Sequence, residues 1–198
     1  VKGFKFFLVT QRLHRGDTEF HGVVILHFHS KDITHFVFVN LSLNKTKKME
    51  STEIRPANDA ERDMAASLLA NSEPWITLRV THEQCLKNCH NPDFLLFMAY
   101  TGEKPSGIII IDPKGVAGSP YIKSVAVYPE FRGKGVGAAL LSYAEELFRG
   151  KSKYMFLCVS SFNHRAQKFY ERSGYTVVGE LKDYIIEGAS EILVHKRL

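Results

Sequence analysis

Val125-Ala126-Val127-Tyr128-Pro129-Glu130-Phe131-Arg132-Gly133-Lys134-Gly135-Val136-Gly137-Ala138 is the stretch whose reading decides the fold. A β-branched run passes through a proline turn into three closely set glycines. A helix follows, with Val136, Leu140, Tyr143 and Leu147 at helical spacing. Glycine lets a backbone come close to a ligand. Successive amides at a helix start lack partners inside the helix and point at one place, which suits an anion such as a diphosphate. Arg132 and Lys134 add positive charge there. Two other phosphate sites are excluded by context. Gly133-x-Gly135-x-x-Ala138 formally fits a dinucleotide fingerprint, but the next strand ends at Val159-Ser160 with no acid to hold a ribose. No Gly-Lys-Ser/Thr stands at the spacing of a nucleotide-hydrolase phosphate loop.

Outward from this stretch, strands and helices alternate in the pattern of a mixed α/β fold. Residues 52–56 read as a short strand. Asn58-Asp59-Ala60-Glu61 reads as a capping box opening a helix with Ala60, Met64 and Leu68 on its apolar face. A second helix is expected over roughly 81–88. Segments 94–100 and 107–111 read as hairpin arms joined by Gly102-Glu103-Lys104-Pro105, and 121–128 as the strand that enters the glycine loop. Beyond the glycine-led helix come a buried strand over 154–159 and a helix capped by Asn163, with Ala166, Phe169 and Tyr170 inward and Gly174 as its stop. Strands over 176–181 and 190–195 flank a turn at Glu187-Gly188.

A chain of 198 residues with 44% hydrophobic and 24% charged residues has room for one domain with a sizeable core, and its composition excludes disordered and fibrous classes. No apolar run approaches the roughly 20 residues of a membrane span, and the opening residues lack the pattern of a secretory signal. Cys85, Cys89 and Cys158 form no disulfide framework and are expected to be free thiols in a reducing, cytoplasmic setting. The net charge of +5 is unevenly placed: residues 1–48 carry eight Lys/Arg against three Asp/Glu, and 49–198 carry eighteen of each. The electrostatic case for a nucleic acid therefore rests on the first 48 residues alone. Asn44-Lys45-Thr46-Lys47-Lys48 reads as a boundary. It separates a basic, His-rich extension over 1–48, with strand-like runs at 23–28 and 36–43, from a domain over 49–198. The native domain is expected to begin at or near Met49.

Arg132-x-x-Gly135-x-Gly137 after a strand, with Asn163-x-x-Ala166-x-x-x-Tyr170-x-x-x-Gly174-Tyr175 further on, resembles the paired motifs of the GNAT family of N-acetyltransferases. The likeness extends over all seven strands and four helices of 49–198. It implies a central, twisted, mostly antiparallel sheet, splayed between the domain's fourth and fifth strands (121–128 and 154–159) and flanked by about four helices. It implies acetyl-coenzyme A as co-substrate and no metal. Arg132, Gly133, Lys134, Gly135, Val136, Gly137 and Ala138 would hold the pyrophosphate. Val125, Ala126 and Val127 would offer backbone to the pantetheine arm and the thioester carbonyl, and Asn163 would touch the cofactor while capping its helix.

By the same resemblance, Tyr170 faces the departing thiolate. Ordinary pKa values of about 8.5 for a thiol and 10 for a phenol make complete proton transfer uphill by about 2 kcal/mol. The expectation is therefore a hydrogen bond, with full transfer only if the surroundings lower the phenol's pKa. The implied reaction is direct attack by a primary amine of a small molecule or peptide, with an amide near Val127 stabilising the oxyanion. Cys158 stands where enzymes acting on a ribosomal protein's N-terminus carry a glutamate. A thiol is a poor base for this task and its expected role is a small buried hydrophobe, so the base stays open.

Weaker constellations surround this pair. His82-x-x-Cys85-x-x-x-Cys89-His90 has three soft ligands on one helix face but no Cys-x-x-Cys pair and no evident fourth ligand, so no metal is expected. Trp75 and Tyr121 are candidate walls of the acceptor pocket, with plain packing as the alternative. Two rival functions are a non-catalytic acyl-coenzyme A sensor and a nucleic-acid binder acting through the extension. A homodimer stays open.

Overall fold

The computed structural model describes residues 51–198 in full, together with the backbone of three earlier strands, β1 (Leu8–Thr10), β2 (His21–Ser30) and β3 (Ile33–Ser42). The boundary stretch 44–48 and the side chains of His27 and His29 lie outside the described residues. Next come β4 (Thr52–Pro56), α1 (Asp59–Ala70), α2 (His82–Cys89), β5 (Leu95–Thr101), β6 (Lys104–Val116) and β7 (Ser119–Val127). A 3-10 turn at Pro129–Phe131 leads to α3 (Val136–Phe148), β8 (Tyr154–Ser160), α4 (His164–Arg172), β9 (Thr176–Leu181) and β10 (Glu191–Arg197).

Among the described residues ten strands join one sheet in the order β1-β2-β3-β4-β5-β6-β7-β8-β10-β9. Every pairing is antiparallel except β7 with β8. This is the mixed α/β architecture expected of the sequence, with the parallel step where the splay was expected.

Helices cover both faces, and β6 shows why its sequence reads as an unbroken apolar run. Ile108 and Ile110 pack with Ala65, Leu69, Cys85 and Cys89 of α1 and α2, while Ile109 and Ile111 pack with Leu140 and Ala144 of α3. All four isoleucines are fully buried, each contributing roughly 1.5–3 kcal/mol.

The helix starts follow their capping residues. Asn58 Oδ1 accepts from the Glu61 amide at 3.0 Å, and Glu61 Oε2 accepts from the Asn58 amide at 2.8 Å. Thr81 and Gln84 make the same reciprocal pair at α2, and Asn163 Oδ1 accepts from the Ala166 amide at 3.1 Å at α4. Gly174, with φ +87°, ends α4 as expected.

Two expectations are corrected. The buried face of α1 is Glu61, Ala65, Ala66, Leu68 and Leu69, while Ala60 and Met64 are exposed. The face is rotated because Glu61 is drawn inward by Arg55 (Nη2 to Oε1, 2.5 Å) and by the Tyr100 hydroxyl. Strand β6 also runs well past 111, since its hairpin with β7 closes only at Val116↔Ser119.

Candidate active site

Strands β7 and β8 are in register at only two places, Tyr121↔Phe156 and Ile122↔Leu157. Beyond that point β7 stays with β6 as far as Gly107↔Val127, and β8 stays with β10 as far as Glu191↔Ser160. The sheet therefore opens into a wedge, with 123–127 on one side and 158–160 on the other. A bulge shapes the β7 side: Ile122 stands opposite Ile111 and Ser124 opposite Ile110, so Lys123 has no partner on β6. Its ammonium lies 4.6 Å from the Phe94 ring centre.

The glycine loop sits at the end of β7. Gly133 and Gly135 have φ of +76° and +86°, left-handed values that cost other residues about 1–2 kcal/mol. Gly135 immediately precedes α3 and the helix has no side-chain cap, so its first amides are presented by backbone alone. Residues 132–135 are exposed, and a Cβ built on Gly133 would meet nothing within 4 Å. Arg132 Nε donates to the Val127 carbonyl at 3.1 Å, tying the loop to the end of the wedge. Lys134 Nζ lies 5.5 Å from the Phe131 ring centre. An open loop of left-handed glycines, a helix N-terminus and two cations fit the diphosphate of a coenzyme A.

Gly137 is where three elements meet. A Cβ there would come within 3.3 Å of Phe169 Cζ on α4 and 3.7 Å of Val127 Cγ2 on β7. The absent side chain lets α3 approach α4 next to the residue of greatest chemical interest. Phe169 is adjacent to Tyr170, ring centres 5.2 Å apart, and Tyr175 closes on the other side of Tyr170 at 5.9 Å. Tyr170 lines a cleft of about 540 Å³ between α4 and strands β8, β9 and β10, together with Val159, Ile192 and Val194. Tyr170 is largely covered against the core, and desolvation pushes the phenol up to about 12.

The structure thus gathers Val125–Val127, the loop 132–138, Asn163 and Tyr170 around one end of the wedge. Tyr121 lies at the wedge's apex with its hydroxyl against the Cys158 thiol. Burial raises both groups, so both stay protonated near neutrality. Cys158 is half-buried and faces away from the α3 core, not packed within it as a small core hydrophobe. Trp75 is half-buried against the α1–α2 cluster. Cys85 and Cys89 point into that same cluster, burial pushing the Cys89 thiol up to about 12. On the outside, His82 meets the Ser67 hydroxyl at 3.2 Å and His90 meets Asp63 at 2.7 Å.

One residue at the site is absent from the sequence-based candidates. Glu191 lies opposite Ser160 across the β8–β10 ladder, and Ser160 Oγ donates to its Oε1 at 2.6 Å. The signal in the sequence is faint: one acid ahead of the apolar run Ile192-Leu193-Val194.

A sheet split at a single parallel step, with a glycine loop and helix N-terminus at the open end of the split, is the arrangement that the sequence led us to expect of a coenzyme A-dependent acyltransferase. The family model of the acetyltransferase (GNAT) family matches residues 58–175, more than half of the chain, and the protein belongs to that family of N-acetyltransferases. Among solved structures it is similar to Ard1 from Thermoplasma volcanium, at 20% identity over 74% of this chain and 97% of that one, with a TM-score of 0.63. It is also similar to the ribosomal-protein-S18-alanine N-acetyltransferase from Escherichia coli, at 19% over 74% and 93%, TM-score 0.60. An aminoglycoside 6'-N-acetyltransferase complexed with coenzyme A gives 17% over 73% and 96%, TM-score 0.61. At these identities the likeness is one of fold. No curated protein matches the chain.

Proposed function

We propose that this protein transfers the acetyl group of acetyl-coenzyme A to a primary amine of a small molecule or peptide, by direct attack and without a covalent enzyme intermediate. The observation that carries this reading is the wedge: β7 and β8 part after Ile122↔Leu157, and the glycine loop beyond the end of β7 delivers the first turn of α3 at its open end. When bound, acetyl-coenzyme A supplies an activated acetyl thioester. The residues Arg132 to Ala138 hold its diphosphate. The backbone edge of Val125, Ala126 and Val127, with no β8 partner beyond the apex, is free to bond the pantetheine arm. Tyr170 keeps its proton at neutral pH and offers it as a hydrogen bond to a departing sulfur. Asn163 fixes the helix that carries Tyr170.

The transferase unit as proposed spans 49–198, with Trp75 and Tyr121 beside the acceptor. The three free thiols fit a reducing compartment, and we place the reaction in the cytoplasm. Among the described residues no helix is long and apolar enough to cross a membrane. Titration calorimetry with acetyl-coenzyme A, followed by thiol detection over a panel of polyamines, aminoglycosides, amino acids and peptides, tests the proposal. Binding followed by amine-dependent thiol release is expected. Absence of binding at millimolar ligand overturns the proposal, and binding with no transfer replaces it with a sensor.

A further inference from the structure

Three glutamates are buried among the described residues, Glu61, Glu145 and Glu191. Two have a cation of their own: Arg55 meets Glu61 at 2.5 Å and Lys196 meets Glu145 at 2.7 Å. Glu191, with 5% of its surface exposed, has none among the described residues, and its hydrogen-bond partner there is the Ser160 hydroxyl. A buried carboxylate without a cation is costly, typically by several kcal/mol. Such a group persists where it has work to do.

Its position points to that work. Met155, Leu157 and Val159 face the α3 core, so by strand alternation Phe156, Cys158 and Ser160 face the opposite side of the sheet. On that side β10 places Glu191 beside Ser160, β7 places Tyr121 beside Phe156, and Tyr121 reaches the Cys158 thiol. Ser160 is three residues past the last β7–β8 pair, about 10 Å along the strand. Strand pairing and alternation thus put the carboxylate, the thiol and the phenol on one face of the sheet, in a row running from the apex into the wedge.

We propose that Glu191 draws the acceptor's ammonium group into the wedge and takes its proton, directly or through one water. This rests on the function proposed above. The ammonium gives one proton to the carboxylate and keeps the electron pair. That pair forms the new C–N bond while the C–S pair leaves with sulfur. The second N–H proton ends on the sulfur, and the carboxyl returns its own proton to solvent. Burial supports the role by holding the Glu191 carboxyl above the ordinary carboxylate range, against the Ser160 hydrogen bond, which lowers it. The groups facing it are Ser160 and Cys158 from β8, Tyr121 from β7 and the apolar Leu181 opposite on β9. Neither Cys158 nor Tyr121 ionises near neutrality.

Glu191→Gln keeps the size of the side chain and an acceptor for Ser160. Phenethylamine, an ammonium ion at pH 7, is compared with aniline, which is already neutral. The variant is expected to lose about a hundredfold or more in transfer to phenethylamine while staying within about threefold on aniline and keeping its calorimetric affinity for acetyl-coenzyme A. Ser160→Ala is expected to move the acid limb of kcat/KM toward higher pH. Independently of turnover, infrared titration is expected to show a carboxyl band above the ordinary range that disappears in Glu191→Gln. Equal losses on both amines, no loss at all, or a Glu191 band titrating in the ordinary range overturns the role of Glu191 alone. Acetyl-coenzyme A binding with no thiol release from wild type on any amine removes the function itself, and this role with it.

Discussion

Replacing Tyr170 by phenylalanine removes a single hydroxyl and leaves the ring between Phe169 and Tyr175. With the phenol at about 12 and an ordinary thiol at about 8.5, handing its proton fully to a thiolate is uphill by about 5 kcal/mol. The desolvated setting thus widens the gap expected from free groups and rules in favour of a hydrogen bond. Such a bond to a charged partner contributes about 1.5–3 kcal/mol, so Tyr170→Phe is expected to lower kcat by about tenfold to 150-fold. Affinity for acetyl-coenzyme A, read by calorimetry, should hold within about twofold, because the phenol acts on charge that develops only as the bond breaks. Coenzyme A release is followed with a thiol reagent from about pH 6 to 10, a window in which a phenol near 12 stays protonated. The ratio of wild-type to variant kcat is therefore expected to stay flat with pH. A ratio that collapses toward one above about pH 9 would refute this reasoning, since it would mean that the phenol titrates inside the window.

Three further perturbations probe the frame of the site. A Cβ on Gly107 would lie 2.8 Å from the Ala126 carbonyl oxygen and 3.1 Å from Val136 Cγ1 and Leu140 Cδ1. Gly107→Ala should cost about 1–3 kcal/mol and lower Tm by about 2–12 °C in scanning calorimetry. Asn163→Ala loses the cap of α4, an expected cost of about 0.5–2 kcal/mol in urea unfolding, which Asn163→Asp should largely restore. Burial alone would raise the Glu61 carboxyl, but Arg55, the Tyr100 hydroxyl and the Asn58 amide outweigh it and hold it below the ordinary range. A depressed carboxyl stabilises the fold above its unfolded pKa and loses that contribution as pH falls through the folded value. Glu61→Gln should therefore be less stable than wild type at pH 7, with the gap closing below about pH 4, as denaturant midpoints at the two pH values would show.

The elements legible in the sequence were those whose cause is local. Caps at Asn58 and Asn163 and the apolar run of β6 announce themselves within a few residues, and so does the glycine loop, whereas Thr81, read as the first residue of a helix, is its cap. What stayed hidden depends on partners far along the chain. Glu61 turns the face of α1 inward only because Arg55 and Tyr100 lie beneath it, and a count of apolar residues assigns a glutamate to solvent. The bulge at Lys123 is a matter of register between two strands, invisible in either alone. Glu191 belongs to the site through Ser160, 31 positions away, and strand pairing alone brings them together.

The order β8-β10-β9 has a bearing on how the chain is made. Strand β10 comes last of the elements, yet it lies between two strands that precede it. Until residues 191–197 have left the ribosome, β8 has an open edge and β9 has no sheet to join. Nascent chains halted at residue 190 should be captured by chaperones and cut readily by proteases, whereas the whole 198-residue chain, tethered to the ribosome by an added linker that carries β10 clear of the exit tunnel, should resist both.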